Sequence, residues 1–143
     1  MIVPDVNLLL YAHLAAFREH AKAKAWWERT LNGTTAVGVG LPALFGFVRL
    51  ATNRRVHEPP LSVEAALGHV DAWLERPHVQ VLSPGPRHLE LAFGLLRRAG
   101  AAANLTTDVQ LAALALEHRA ELHSNDGDFG RFAGLRWVNP LGP

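Results

Sequence analysis

The sequence predicts an α/β fold: a five-stranded parallel sheet covered by helices on both faces, a three-layer α/β/α sandwich in one domain over residues 1–143. Two observations predict it. Five short apolar runs, at residues 2–3, 35–39, 79–82, 120–123 and 135–138, alternate with stretches whose apolar residues recur at helical spacing. Strands that alternate with helices in this way belong to a sheet buried on both faces and joined by right-handed crossovers. The second observation is size. A chain of 143 residues, 49% hydrophobic, can bury a core without cross-links, and it has no cysteine. That excludes disulfides, thiolate metal sites and thiol nucleophiles.

Ile2-Val3 opens the first strand, which ends at Pro4-Asp5. Residues 7–14 (NLLLYAHL) are apolar at helical spacing. Residues 18–31 follow as a helix, with Ala21, Ala25, Trp26 and Leu31 interleaved with Lys22, Lys24, Glu28 and Arg29. Asn32-Gly33 stops it. After the strand at 35–39 comes an apolar helix over 41–52, with Pro42 in the first turn, where proline is tolerated. Ser62 caps a helix that runs to Arg76, with Glu64 complementing its dipole. Pro77 ends it before the strand at 79–82. Pro86 opens a helix to Ala99, closed by Gly100. Thr106 or Thr107 caps a helix over 108–119 whose apolar face is Val109, Leu111, Ala112, Ala115 and Leu116. The strand at 120–123 leads into a polar turn at 124–128, and Asn139-Pro140 stops the last strand.

The opening Met1-Ile2-Val3-Pro4-Asp5 has neither the basic start nor the long apolar run of a signal peptide. The longest uncharged stretch, residues 30–48, is broken by glycines and Pro42, so no membrane span is expected and the protein is expected to be cytoplasmic. Fourteen basic and 13 acidic residues give a net charge of +1, which argues against a strongly basic wrapping protein and against an acidic disordered chain.

In open parallel sheets the ligand site lies beyond the carboxyl ends of the strands. Four of the five aspartates fall where they can reach that edge. Asp5 follows the first strand, Asp108 stands in the first turn of a helix, and Asp126 and Asp128 lie in the turn after the fourth strand; only Asp71 is within a helix. Each has a plain structural use as cap, dipole partner or turn former. Together they describe a cluster of like charges, which a hard cation such as Mg²⁺ or Mn²⁺ offsets through oxygen ligands. Mg²⁺ takes one or two carboxylates plus waters and phosphate oxygens, an arrangement suited to hydrolysis of a phosphodiester.

The sequence resembles the PIN-domain ribonucleases, and among them the VapC-type toxins of bacterial toxin–antitoxin pairs. Four segments carry the resemblance: Asp5-Val6-Asn7-Leu8-Leu9-Leu10-Tyr11; Phe47-Val48-Arg49-Leu50-Ala51-Thr52-Asn53; Thr107-Asp108-Val109-Gln110-Leu111-Ala112-Ala113-Leu114-Ala115; and Ser124-Asn125-Asp126-Gly127-Asp128-Phe129. It spans almost the whole chain and implies the fold already derived. It also implies a Mg²⁺-dependent endoribonuclease (Mn²⁺ as substitute) acting on structured RNA, tRNA or rRNA. Asp5, Asp108 and Asp126 would hold the metal and Asp128 would orient the attacking water. Asn7 and Thr107 would position these groups by hydrogen bonds. A homodimer and a VapB-type antitoxin are the implied partners. One position departs: the family's second acid, a Glu before the Phe-x-Arg segment, is Gly46 here, and no acid lies between residues 30 and 57. One carboxylate fewer predicts a single, loosely held cation completed by water and RNA phosphate.

Two other readings compete. Gly46 motivates a degenerate domain that binds RNA or antitoxin without cutting. A phosphatase on a related sheet is the second, disfavoured because Asp5 is not followed two residues on by another Asp. Among the basic residues, Arg49, Arg54 and Arg55 are expected to contact RNA phosphate. Arg97 and Arg98, at a helix C-terminus, are expected to complement its dipole. Of the eight histidines only His123 falls near the site, and a packing role is expected for it. Trp26 and Trp27 are adjacent on a helix and so are not expected to share one core; one of them should mark an interface.

Overall fold

The computed structural model describes residues 1–142. Its strands are β1 (Ile2–Pro4), β2 (Val37–Gly40), β3 (Val79–Leu82), β4 (Glu121–His123) and β5 (Arg136–Val138). Its helices are α1 (Val6–His13), α2 (His20–Asn32), α3 (Leu41–Ala51), α4 (Val63–Leu74), α5 (His88–Ala99) and α6 (Leu105–Glu117). All pairings are parallel, in the order β3-β2-β1-β4-β5, with Ile2 opposite both Val37 and Glu121. The order runs outward from β1 through β2 to β3, then resumes at β4 on β1's other side. The right-handed crossover rule therefore places α1–α4 over one face and α5 and α6 over the other. The topological switch point falls between β1 and β4.

The core is built from both faces of the sheet. Val3, Val37, Val39 and Leu122 are fully buried, with Leu8 and Leu9 of α1, Phe47 of α3 and Trp73 of α4 packed on them. In α6, Leu111 to Ala115 are all buried, so this helix is covered around most of its circumference rather than along one stripe. A Cβ on Gly38 would lie 2.5 Å from the Leu82 side chain, so glycine is what lets β3's leucine lie against β2.

Boundaries differ from the sequence expectation at three informative places. α6 begins at Leu105, so Thr106 and Thr107 lie inside its first turn and Asn104 is the cap residue, without a side-chain cap bond. Pro86 lies before α5, which starts at His88. The turn after β4 continues into a 3-10 helix, Gly127–Arg131, that buries Phe129 against Phe132. Trp26 and Trp27 are both buried, contrary to expectation. A 100° step between neighbours still fits burial of both when each ring meets a different element: Trp26 lies against His123 of β4, and Trp27 meets Trp73 of α4 edge-on at 5.7 Å. Among the described residues no helix is long and apolar enough to cross a membrane.

Candidate active site

The site is assembled at the switch point. Asp5 leaves β1 with its N–H still bonded to the His123 carbonyl (2.9 Å), which extends the β1–β4 ladder by one residue. Its side chain caps α1: Oδ1 accepts from the Val6 N–H at 2.7 Å. Oδ2 accepts from the Ser124 hydroxyl at 2.7 Å. Ser124 is fully buried, and its own N–H is tied to Val138 of β5. The same hydroxyl oxygen accepts from the Asp126 N–H (2.9 Å) and, at 3.5 Å, from Asn7 Nδ2. One serine thus joins three residues expected to form the site. The sequence showed it only as a turn former beside Asn125-Asp126; the signal that could have found it is its place directly after a strand at the switch point.

Asp126 caps the 3-10 helix, its Oδ1 accepting from the Asp128 N–H at 2.9 Å. Asp128 itself is exposed and pairs with Arg131, Oδ1 to Nη2 at 3.3 Å. Asp108, half-buried in the first turn of α6, faces the same edge. Burial raises the Asp5 carboxyl above its ordinary range, opposed by the Ser124 and Val6 hydrogen bonds, while Asp126 adds to the rise. Asp108 is pushed up to about 6, first by desolvation and then by the charges of Asp5, Asp126 and Asp128; Arg131 opposes this. The four aspartates therefore share one electrostatic field. Among the described residues, no three His, Asp or Glu side chains close into a ready-made metal cage.

The donor set fits a hard divalent cation. It is all oxygen, its charges repel one another, and Asn7 Oδ1 is buried beside Ser124 with no partner among the described residues. Mg²⁺ needs only one or two protein carboxylates, so an open arrangement suits it better than it would Ca²⁺ or Zn²⁺.

The basic residues separate. Arg49 lines a cavity together with Gly46, Val6 and Thr107, next to the carboxylates. Arg54 and Arg55 lie in the turn after α3. Arg54 pairs with Glu58 at 3.3 Å, and Glu58 and His57 wall a different cavity, with His13 at the far end of α1 from Asp5. Arg49, in the last turn of α3, and Arg54, in the turn that follows, thus stand beside different cavities. His123 does pack, as expected. Its Nδ1 accepts from Trp26 Nε1 at 3.3 Å and its Nε2 faces Glu121 Oε1 at 3.2 Å.

Residues 2–135 match the family model described as PIN domain. The chain is 54% identical over 141 residues to Ribonuclease VapC33 of Mycobacterium tuberculosis, covering 99% of each, and 41% identical to Ribonuclease VapC37 of the same species, covering 98% and 97%. Among solved structures, the sarcin-ricin loop cleaving toxin VapC20 of M. tuberculosis superposes with a TM-score of 0.70 at 21% identity, covering 95% of this chain and 99% of that one. VapBC-1 from nontypeable Haemophilus influenzae gives 0.69 at 19% identity, covering 98% of each. At these identities the two structures show a shared fold.

Proposed function

The chain belongs to the PIN-domain family, beside its VapC ribonucleases, and from that premise we propose that it is a divalent-metal-dependent endoribonuclease toxin that cuts structured RNA, tRNA or rRNA, in the cytoplasm. The observation that carries the reading is the joining of Asp5, Asp126 and Asn7 through Ser124 at the β1/β4 switch point, with Asp108 in the same field.

Asp5, Asp108 and Asp126 would hold one Mg²⁺, or Mn²⁺ in its place, completed by water and RNA phosphate. A cation bound there supplies an activated water and stabilises charge on the phosphoryl oxygens. Asp128, whose Oδ1 alone touches Arg131, is free at Oδ2 to accept a hydrogen bond from the water that attacks phosphorus. Asn7 Oδ1, buried and without a partner among the described residues, and the Thr107 hydroxyl would position these groups. Arg49 is exposed and, among the described residues, has no acidic partner, so it is available to balance the phosphate of the bound strand. The site residues are assigned by their matching places in the sequence and by this geometry.

The partners follow by likeness. Structures such as VapBC-1 and the Klebsiella pneumoniae toxin–antitoxin complex hold pairs, which supports a VapB-type antitoxin for this chain. A homodimer is supported by Leu89 and Phe93, apolar, exposed and one turn apart on α5. The test is incubation of the purified protein with structured RNA and Mg²⁺, with EDTA and Asp5→Ala as controls. Metal-dependent cutting that Asp5→Ala abolishes is expected. RNA binding without cutting would support the degenerate reading, which Gly46 motivates; activity on small phosphate esters alone would support a phosphatase.

A further inference from the structure

Beside the carboxylates lies a cavity of about 660 Å³, within the size range of small-ligand sites. It adjoins both catalytic helices: Val6, the residue after Asp5, and Thr107, the residue before Asp108, are in its wall. Residue 46 of this wall is glycine, and a Cβ there would already stand 3.2 Å from Val6 Cγ2, so a longer side chain would crowd the Val6 side of the cavity.

The lining is of two kinds. Leu41, Leu82, Leu114 and the exposed ring of Phe45 make it apolar on one side. On the other it is polar but carries no carboxylate. The Gln110 amide donates one hydrogen from Nε2 to the Thr106 carbonyl (3.0 Å); its Oε1, the Thr107 hydroxyl and His88 Nε2 have no protein partner among the described residues. His88 is buried, with Nδ1 turned to within 3.9 Å of Glu117. Among the described residues the one charge in the wall is Arg49, which has no acidic partner there.

We infer that this cavity receives an unpaired nucleobase of the RNA substrate, next to the bond that is cut; the inference rests on the reading of the carboxylate edge as a ribonuclease centre. A base has an apolar face for Phe45 and the leucines, and a polar edge for Gln110, Thr107 and His88. Its ribose-phosphate carries it to the carboxylates, and Arg49 is placed for that negative charge. An apolar protein side chain would fill the same space but leave the polar wall unpaired, at a cost. Gly46 therefore exchanges a carboxylate position for substrate selection.

The test uses a stem-loop RNA pool, randomised at each unpaired loop position and sequenced after cutting in Mg²⁺, with wild type, Gly46→Leu and Gln110→Ala. Wild type is expected to prefer certain bases by about tenfold at one position beside the cut. Both variants are expected to flatten that ratio, which is internal to each protein and so independent of any loss in rate. In a second arm, an oligonucleotide carrying 2-aminopurine at that position, or at each position in turn, is bound to protein in EDTA. Its fluorescence is expected to quench with wild type and not with Gly46→Leu. Metal-dependent cutting with a flat profile, or a profile that neither variant alters, overturns the inference while leaving the ribonuclease reading intact. So does sedimentation showing that both variants break a dimer while the base profile stays the same. If wild type does not cut, the ribonuclease reading has failed, and the EDTA arm alone decides the cavity: quenching sensitive to Gly46→Leu supports base binding, and its absence overturns it.

Discussion

The Ser124 hydroxyl donates to Asp5 Oδ2 at 2.7 Å across 119 residues of sequence, and the same oxygen receives the Asp126 N–H. This oxygen closes the gap between the end of β1 and the end of β4. It satisfies one lone pair of a buried carboxylate and fixes the backbone of a second acid. Without it, Asp5 is left desolvated with only the Val6 N–H as partner.

Ser124→Ala is therefore expected to cost about 1–3 kcal/mol in chemical denaturation, the range for leaving buried polar groups unpaired. It is also expected to depress cutting more than stability explains, because Asp126 loses its anchor. A variant as active and as stable as wild type would remove Ser124 from the site.

Asp108 gives a pH signature to the metal-free protein. Its carboxyl is pushed up to about 6 from 3.8 when folded, so the folded chain holds the proton longer than the unfolded chain. The stability tied to this proton is present below pH 3.8 and is lost as pH climbs through about 6. In EDTA, the difference in Tm between wild type and Asp108→Asn should widen over that window in the variant's favour. Mg²⁺ should recover the wild-type loss above pH 6, since it compensates the charge that the ionised group introduces. A Tm difference constant with pH would show that Asp108 does not feel the cluster.

His13 works in the opposite direction. Burial holds its imidazole down at about 4. Nδ1 donates to the Leu9 carbonyl at 2.7 Å and Nε2 accepts from Trp73 Nε1 at 3.1 Å, so a second ring proton would face a donor. The His69 ring, 4.5 Å away, and His20 also disfavour charge. For a depressed histidine, stability is full above about pH 6.5 and is lost as pH falls toward 4. The fluorescence of Trp73 should report loosening of α4 from α1 in that range, and His13→Gln, which cannot titrate, should flatten the response.

How far the sequence reached can be judged residue by residue. The strands, the helices and the gathering of the aspartates at one edge were legible because each leaves a local mark: an apolar run, a 3.6-residue period, an acid just after a strand or in a first turn. Ser124 was not, because its role depends on strand order, and nothing near residue 124 says that β4 lies beside β1. The burial of both Trp26 and Trp27 was illegible for a similar reason. The helical period gives the angle between two side chains but not which elements lie on either side to cover them. The three arginines looked equivalent until Arg49 was seen to line the cavity beside the carboxylates and Arg54 to pair with Glu58.

That separation has its own test. Arg49→Ala should weaken RNA binding and lower the slope of log affinity against log salt by about one, as expected for loss of one phosphate contact. Arg54→Ala with Arg55→Ala should change the slope little. Arg54's exposed pair with Glu58 is in the class worth little to stability, so the double variant should fold normally. Equal slopes for the single and double variants would return RNA contact to the turn after α3.

Gly46→Glu asks whether the missing acid is what leaves the site open. A Cβ at 46 meets Val6 Cγ2 at 3.2 Å, so Val6 must give by a few tenths of an ångström. Replacing glycine within a helix returns about 1 kcal/mol of backbone preference, which offsets that crowding. The new carboxylate would enter beside Asp5 and Asp108, where like charges already raise both. Two opposing changes should follow: a lower Tm in EDTA at neutral pH, from added repulsion, and a larger rise on adding Mg²⁺ or Mn²⁺, from an added ligand. Calorimetry should show tighter Mn²⁺ binding than wild type, by about tenfold for one gained carboxylate contact worth about 1.4 kcal/mol. Unchanged metal affinity would place residue 46 outside the coordination sphere and leave its cavity as the only consequence of glycine there.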